Sequence, residues 1–382
     1  MNGDPIVTDH ACLIGSEALT SPVAPVSNSA TMTTLSPQGA PAVQAVGGRK
    51  VRRATMNDVA RLAGVSIKTV SRVVNDEPGV HPATAERVLA AIDQLGFRRN
   101  LSARNLRRGS STGTIGLVLE DVGNPFYSGV TRAVEEISRL RGRQVITGSS
   151  DEDPDREREL ALEFCSRRVD GLLIVPAGLQ HSYLVPEMRA GTPVVFLDRP
   201  AGDVVADTVL VDNIGGTIEA VAHLAAHGHR RIAFLGDAPD IFTANERLRG
   251  YREGCVRSGI GYHEELVVMG PHDARSIGAA LHRLKSSRAP ATAVVAGNNR
   301  ITVHVLRALA QTPVRPALVG FDDFELADLL SPPVSVIAHD ARALGKAAAD
   351  LLFARLDGDS SPPRRVVLPV RLVPRGSGEV RA

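Results

Sequence analysis

From Thr114 onward, short apolar runs alternate with helix-length amphipathic stretches, and no other feature of the chain constrains its fold as strongly. A first series comprises residues 115–119, 144–147, 171–175, 193–197 and 208–211. A second comprises residues 231–235, 266–269, 293–296 and 317–320. Continuous apolar strands separated by helices belong to parallel sheets buried on both faces, so an α/β body is expected. Two series in succession predict two such lobes. In open α/β sheets a ligand sits beyond the carboxyl ends of the strands, which directs attention to the polar residues that follow each strand.

The first 48 residues have a different character. Ser, Thr, Pro, Ala and Gly fill 27 of them, too little apolar surface to offset the entropy of ordering, and a disordered extension is expected there. Met32 offers an alternative start. The N-terminus lacks the basic-then-apolar order of a signal peptide. Cys12, Cys165 and Cys255 are too few and too scattered for a disulfide framework or a zinc site. No run of about 18 uncharged apolar residues exists, so no membrane helix is expected. These features together predict a cytoplasmic chain.

Between these regions, residues 54–97 read as three short helices. Thr55 and Asp58 form a capping-box pattern ahead of Val59, Ala60, Leu62 and Ala63, and Gly64 ends the first helix. Ser66 caps the second, in which Val70, Val73 and Val74 form the inward stripe. Pro82 opens the third, with Val88, Leu89, Ile92 and Leu95 as its stripe and Gly96 at its end. The first two helices and their glycine turn have the form of a helix-turn-helix. The second helix presents Ile67, Lys68, Thr69, Ser71 and Arg72 away from its valines. Arginine can grip guanine in a bidentate fork, and hydroxyls can bond phosphates or base edges. Charge agrees: residues 49–109 hold 13 Lys/Arg against 5 Asp/Glu, on a chain whose net charge is only +2. A polyanion partner fits this module, and charge alone also fits a solvated basic surface.

The run DVARLAGVSIKTVSRVVN, followed by VHPATAERVLAAIDQLGF and NLSARNLRRG, resembles the LacI/GalR (lactose/galactose repressor) family of bacterial transcription regulators. TPVVFLDR, ERLRGYREG, LVGFDD and LPVRLVPRGS extend the resemblance, which spans Thr55 to Ser377. It implies a homodimer that binds a pseudo-palindromic operator in double-stranded DNA. Ile67 and Lys68 would read bases, Arg72 would contact a base, and Asn57, Ser66, Thr69, Ser71 and Asn75 would hold phosphates. Residues 99–110 would form a hinge helix containing Asn100, Ala103, Arg104 and Leu106, with Leu106 wedged into the minor groove. Arg99 replaces the proline usual before that hinge.

The resemblance also implies a body, residues 111–382, like the periplasmic sugar-binding proteins, with a small effector between the lobes. Asn124, Phe126, Asp198, Thr243, Arg247, Asn298 and Asp322 would line its site. His272 stands where an aromatic is common, and Asn298-Asn299 replaces an Asn-Asp pair. Arg199 reads equally as a group for an anion and as an ion pair at the cleft rim. His223 and His227, four apart, have metal-ligand spacing but no evident third ligand. The acidic run 151–155 reads as a solvated helix start. No nucleotide-binding, nucleophile-elbow or zincin motif occurs, so neither an enzyme nor a cofactor is expected. A sugar-binding transport component, the other reading of a two-lobed body, would lack the basic head.

Overall fold

The computed structural model describes residues 54–98, 111–270, 273–310 and 315–382. These fall into two compact units divided after Arg98, each with its own core.

The first unit holds α1 (Met56–Ala63), α2 (Ile67–Val74) and α3 (Pro82–Leu95). Thr55 and Asp58 make the expected capping box, and Gly64 takes a left-handed φ of 66° that no β-carbon would favour. The core is small: Val59, Ala60, Ala63, Val70, Val88 and Ala91. This corrects part of the sequence reading. Leu62, Leu89 and Leu95 are exposed at 46%, 52% and 36%. Helices this short approach closely through alanine and valine, so Ala63 is buried as expected while Ala91, rather than Leu89 or Leu95, joins Val88 in the core.

The second unit contains β1 (Thr114–Leu119), α4 (Pro125–Leu140), β2 (Gln144–Ser149), α5 (Pro154–Ser166), β3 (Gly171–Ile174), α6 (Val185–Arg189), β4 (Val194–Leu197) and β5 (Asp207–Val211). It continues with α7 (Asn213–Ala226), β6 (Ile232–Gly236), α8 (Phe242–Arg257), β7 (Val267–Met269), α9 (Ala274–Ser286), β8 (Ala293–Ala296), α10 (Asn299–Leu309) and β9 (Ala317–Phe321). The last elements are β10 (Ser335–Ala338), α11 (Ala341–Leu356), β11 (Arg365–Leu368) and β12 (Arg371–Val373).

Two six-stranded sheets result, ordered β11-β5-β4-β3-β1-β2 and β12-β10-β9-β8-β6-β7. Every pairing is parallel except β10 with β12. Successive side chains supply opposite faces: Leu173 enters the cluster under α4 and α11, while Leu172 and Ile174 enter the one under α5. In the second lobe the two faces are covered by α7 with α8 and by α9 with α10.

Each series builds one lobe, as expected, but the chain after the second series does not stay in its lobe. The chain crosses between lobes at Asp212, at His339-Asp340 and at Pro369-Val370, so α11 and β11 return to the first lobe. Close approach of α7 and α8 depends on two glycines. A β-carbon on Gly250 would lie 2.5 Å from the Ile214 carbonyl oxygen, and one on Gly254 would lie 2.9 Å from Val221. That contact sets Arg247, one turn earlier on α8, against Asn213 at the start of α7.

Candidate functional site

In the first unit, Ser66 Oγ accepts from the Thr69 amide at 3.1 Å and lies 2.9 Å from Thr69 Oγ1. Val70 is fully buried, so the opposite face of α2 points outward. Ile67 is 49% exposed, and Lys68, Ser66 and Asn57 are exposed as well. Thr69, Ser71, Arg72 and Asn75 are half-buried. Asn75 Nδ2 donates to Ser71 Oγ at 3.2 Å, so these two groups also brace the end of the helix. The leading turn of α2 thus offers an apolar side chain, an ammonium and hydroxyls together, a set suited to a DNA groove and its phosphates. Asn100, Ala103, Arg104 and Leu106 lie outside the described residues.

In the second unit, a cavity of about 260 Å³ opens between the lobes. Its polar lining comes largely from residues that follow strands: Glu120 after β1, Asp237 after β6, Asn298 after β8 and Asp322 after β9. Of the sequence candidates, Asn124, Phe126, Thr243, Arg247, Asn298 and Asp322 line it. His272 lies outside the described residues. Asp198 is not part of the lining. It is 5% exposed behind Tyr127 and Arg199, with Tyr127 Oη 3.4 Å and Arg199 Nε 3.9 Å from its carboxylate. Burial pushes its carboxyl up, and Arg199 and Arg247 offset this only in part.

Arg247 is tightly held. Its Nε donates to Asn213 Oδ1 at 2.7 Å, and Nη1 donates to the Gly297 carbonyl at 2.5 Å and stands 3.4 Å from Asp322 Oδ2. The guanidinium lies 3.8 Å from the centre of the Phe321 ring. Asp322 Oδ1 is 2.8 Å from His339 Nε2. Burial pushes the Asp322 carboxyl up, but Arg247 and His339 together outweigh it and hold it below the usual range.

Contacts between lining residues join the two lobes beside the cavity. Asn299 Nδ2 donates to Asn124 Oδ1 at 2.9 Å. Arg300 Nη1 donates to Glu120 Oε1, also at 2.9 Å. Burial, reinforced by Glu152, pushes the Glu120 carboxyl up to about 7. Arg300, half exposed, offsets this only partly. The capping residues set the rest of the geometry: Asn124 caps α4, and Asn298 caps α10 while its amide donates to Asp237.

Three acids of the site escaped the sequence reading, as did Tyr127, Ile241 and Arg300. Glu120 and Asp237 follow strands directly, and the strand-end rule alone identifies them. Glu152 belongs to the acidic run taken for a solvated helix start. Only Asp153 caps α5; Glu152, at a left-handed φ of 60°, turns inward and binds both terminal nitrogens of Arg199. Arg199 is an ion pair, 6% exposed rather than at the rim, and its Nη1 also donates to the Pro176 carbonyl at 2.8 Å. His223 bonds to Glu379, and His227 Nδ1 lies 2.8 Å from the His223 carbonyl. Among the described residues no cluster of three or more metal-ligating side chains occurs, and no helix is long and apolar enough to cross a membrane.

Comparison with known proteins places this geometry in context. Residues 55–100 match a family model described as bacterial regulatory proteins, lacI family, and residues 221–378 match a periplasmic binding protein-like domain. The chain is 35% identical over 342 residues to the HTH-type transcriptional regulator CelR of Thermobifida fusca, covering 86% of this chain and 99% of that protein. It is 33% identical to the ribose operon repressor of Escherichia coli (strain K12), covering 85% and 99%. Among solved structures, a transcriptional regulator CelR–cellobiose complex aligns with a TM-score of 0.62 at 33% identity, over 85% of this chain and all of that one. The lac repressor dimer bound to operator and the anti-inducer ONPF aligns with a TM-score of 0.75 at 26% identity, over 86% and 100%. With its helical head matched by the family model and whole-length relatives at this identity, the chain belongs to the lacI family of bacterial regulatory proteins.

Proposed function

We propose that this chain represses transcription by binding a pseudo-palindromic operator as a homodimer, and that a small polyhydroxylated ligand, a sugar or related metabolite, switches it from the interlobe cavity. The observation that carries the reading is the cavity itself. Both lobes supply its polar groups, and Asn124–Asn299 and Glu120–Arg300 bond from one lobe to the other within its lining. A ligand held there contacts both lobes at once and therefore favours one interlobe arrangement over another. A ligand shifts an equilibrium only through such differential affinity. Asn57, Ser66, Ile67, Lys68, Thr69, Ser71, Arg72 and Asn75 form the operator-contacting surface, joined by Asn100, Ala103, Arg104 and Leu106. Asn124, Phe126, Thr243, Arg247, Asn298 and Asp322 hold the ligand, Asp198 supports them from behind, and His272 completes the set. A gel-mobility shift on DNA upstream of the chain's own gene, with and without a panel of sugars, tests the reading. Retarded operator released or strengthened by one sugar supports it; a chain that retards no DNA, or whose complex ignores every ligand that binds the body, contradicts it.

A further inference from the structure

Every guanidinium lining the cavity already faces a carboxylate. Arg199 is clamped by Glu152, Arg247 stands against Asp322 and Arg300 bonds Glu120. With Asp237 the lining holds four carboxylates against three guanidiniums, and Asp198 lies just behind it. The site therefore has more acceptors than cations. A second observation sharpens this. Arg199 is 6% exposed, and its Nε is a buried donor with no hydrogen-bond partner. That N–H faces Asp198 behind the lining, 3.9 Å away, so the guanidinium charge is already shared between Glu152 and Asp198 and little of it is left for an anion. A phosphate or carboxylate drawn to Arg199 would meet Glu152 and Asp198 at close range, and displacing Glu152 would leave a carboxylate uncompensated in a largely buried place.

We propose that the cavity takes a polyhydroxylated ligand bearing no phosphate and no carboxylate, and that Glu152 enforces this by occupying the Arg199 fork. The inference rests on the interlobe cavity being the ligand site and adds the charge class of what it accepts. Asp237 and Asp322, which line the cavity, then accept from ligand hydroxyls. Buried polar groups left unpaired by a mismatched ligand are the source of strong discrimination.

Inorganic phosphate is the first probe, read by thermal denaturation of the full chain against chloride at matched ionic strength. Wild type is expected to show the same midpoint in both salts. Glu152→Gln, which releases the Arg199 fork, is expected to be stabilised by phosphate, and Glu152→Gln combined with Arg199→Gln is expected to lose that effect. Wild type stabilised by phosphate, with the effect lost in Arg199→Gln, overturns the proposal while leaving the cavity as the ligand site. A Glu152→Gln chain that ignores phosphate also overturns it. The second probe is a set of neutral monosaccharides and disaccharides with their phosphates and uronic acids. A neutral sugar is expected to bind at least 100-fold more tightly than its charged derivatives, and equal binding of a charged derivative overturns the proposal. A sugar whose binding survives both Phe126→Ala and Thr243→Val binds elsewhere, and that result removes the cavity reading itself.

Discussion

Asp198 and Asp322 occupy equivalent corners of the two lobes. Each is the first residue after a central strand, each has a left-handed φ (67° and 65°), and each donates its amide to the neighbouring strand, at 2.8 Å to Val209 and 2.9 Å to Ile337. Their carboxylates then diverge. Asp322 meets Arg247 and His339 and faces the cavity. Asp198 meets only the more distant Tyr127 and Arg199 and lies behind it. One backbone device, repeated in two lobes, yields a matched charge and an unmatched one.

That divergence predicts opposite mutational outcomes. Asp322→Asn is expected to lower unfolding free energy at pH 7 by about 3–5 kcal/mol, the cost of leaving Arg247 buried without its partner. Asp198→Asn is expected to fall within about 1 kcal/mol of wild type or above it. The pH dependence follows the same signs. The folded-state pKa of Asp322 is depressed, so its contribution is present above the ordinary carboxyl value of 3.8 and is lost as pH falls further. That of Asp198 is raised, so ionising it costs the folded state progressively as pH rises above 3.8. Urea denaturation of both variants across pH checks this.

Glu120 predicts a pH-dependent cost in the cavity lining. Its folded pKa of about 7 exceeds the ordinary 4.5, so the stability it permits is fully present below pH 4.5 and declines as pH rises through 7. Glu120→Gln is expected to match wild type at pH 5 and to exceed it at pH 8 by on the order of 1–3 kcal/mol, one pKa unit being about 1.4 kcal/mol. Denaturation at the two pH values separates this from a uniform effect of the substitution.

Arg247 serves both packing and ligand. Arg247→Lys keeps the charge but loses the fork that reaches Asn213 and the Gly297 carbonyl. The variant is expected to remain folded, to lose about 1–3 kcal/mol of stability through unpaired buried groups, and to bind the sugar at least tenfold more weakly. Isothermal titration alongside thermal denaturation measures both quantities.

In the head, Arg72→Ala is expected to weaken operator binding by about 1–3 kcal/mol, the value of a bidentate base contact, with a smaller loss on random DNA. Exposed Lys68, at the leading turn of α2, is expected instead to set which base is preferred, so its substitution shifts the selected half-site. Anisotropy titrations on a panel of duplexes distinguish the two roles.

Much of this was legible in the sequence, for stated reasons. TIGLVL and GLLI are continuous apolar runs because both faces of a parallel sheet are covered, and they became β1 and β3. Caps at Thr55 and Ser66 form where local hydrogen bonding alone dictates them. Three strands went unread. β11 alternates between exposed and half-buried residues and β12 is only three residues long, both at the edges of the sheets, and β10 is four residues long after two prolines. The return of α11 to the first lobe has no local signal, since its apolar stripe fits either core. Glu152 was hidden because an acid among acids looks solvated until a left-handed residue turns it inward. Asp198 was assigned to the cavity through its likeness to a pattern, but Tyr127 and Arg199 stand between it and the opening.

The central claim is that cavity and operator are energetically linked, and linkage is reciprocal: the factor by which a sugar changes operator affinity must equal the factor by which operator changes sugar affinity. The direct measurement is a pair of titrations on the full chain, operator duplex with and without saturating sugar, and the same sugar with and without saturating duplex. The account predicts equal factors of roughly 5–150 in the two directions, both collapsing toward one in Arg247→Lys. Identical sugar affinity with and without operator would contradict it.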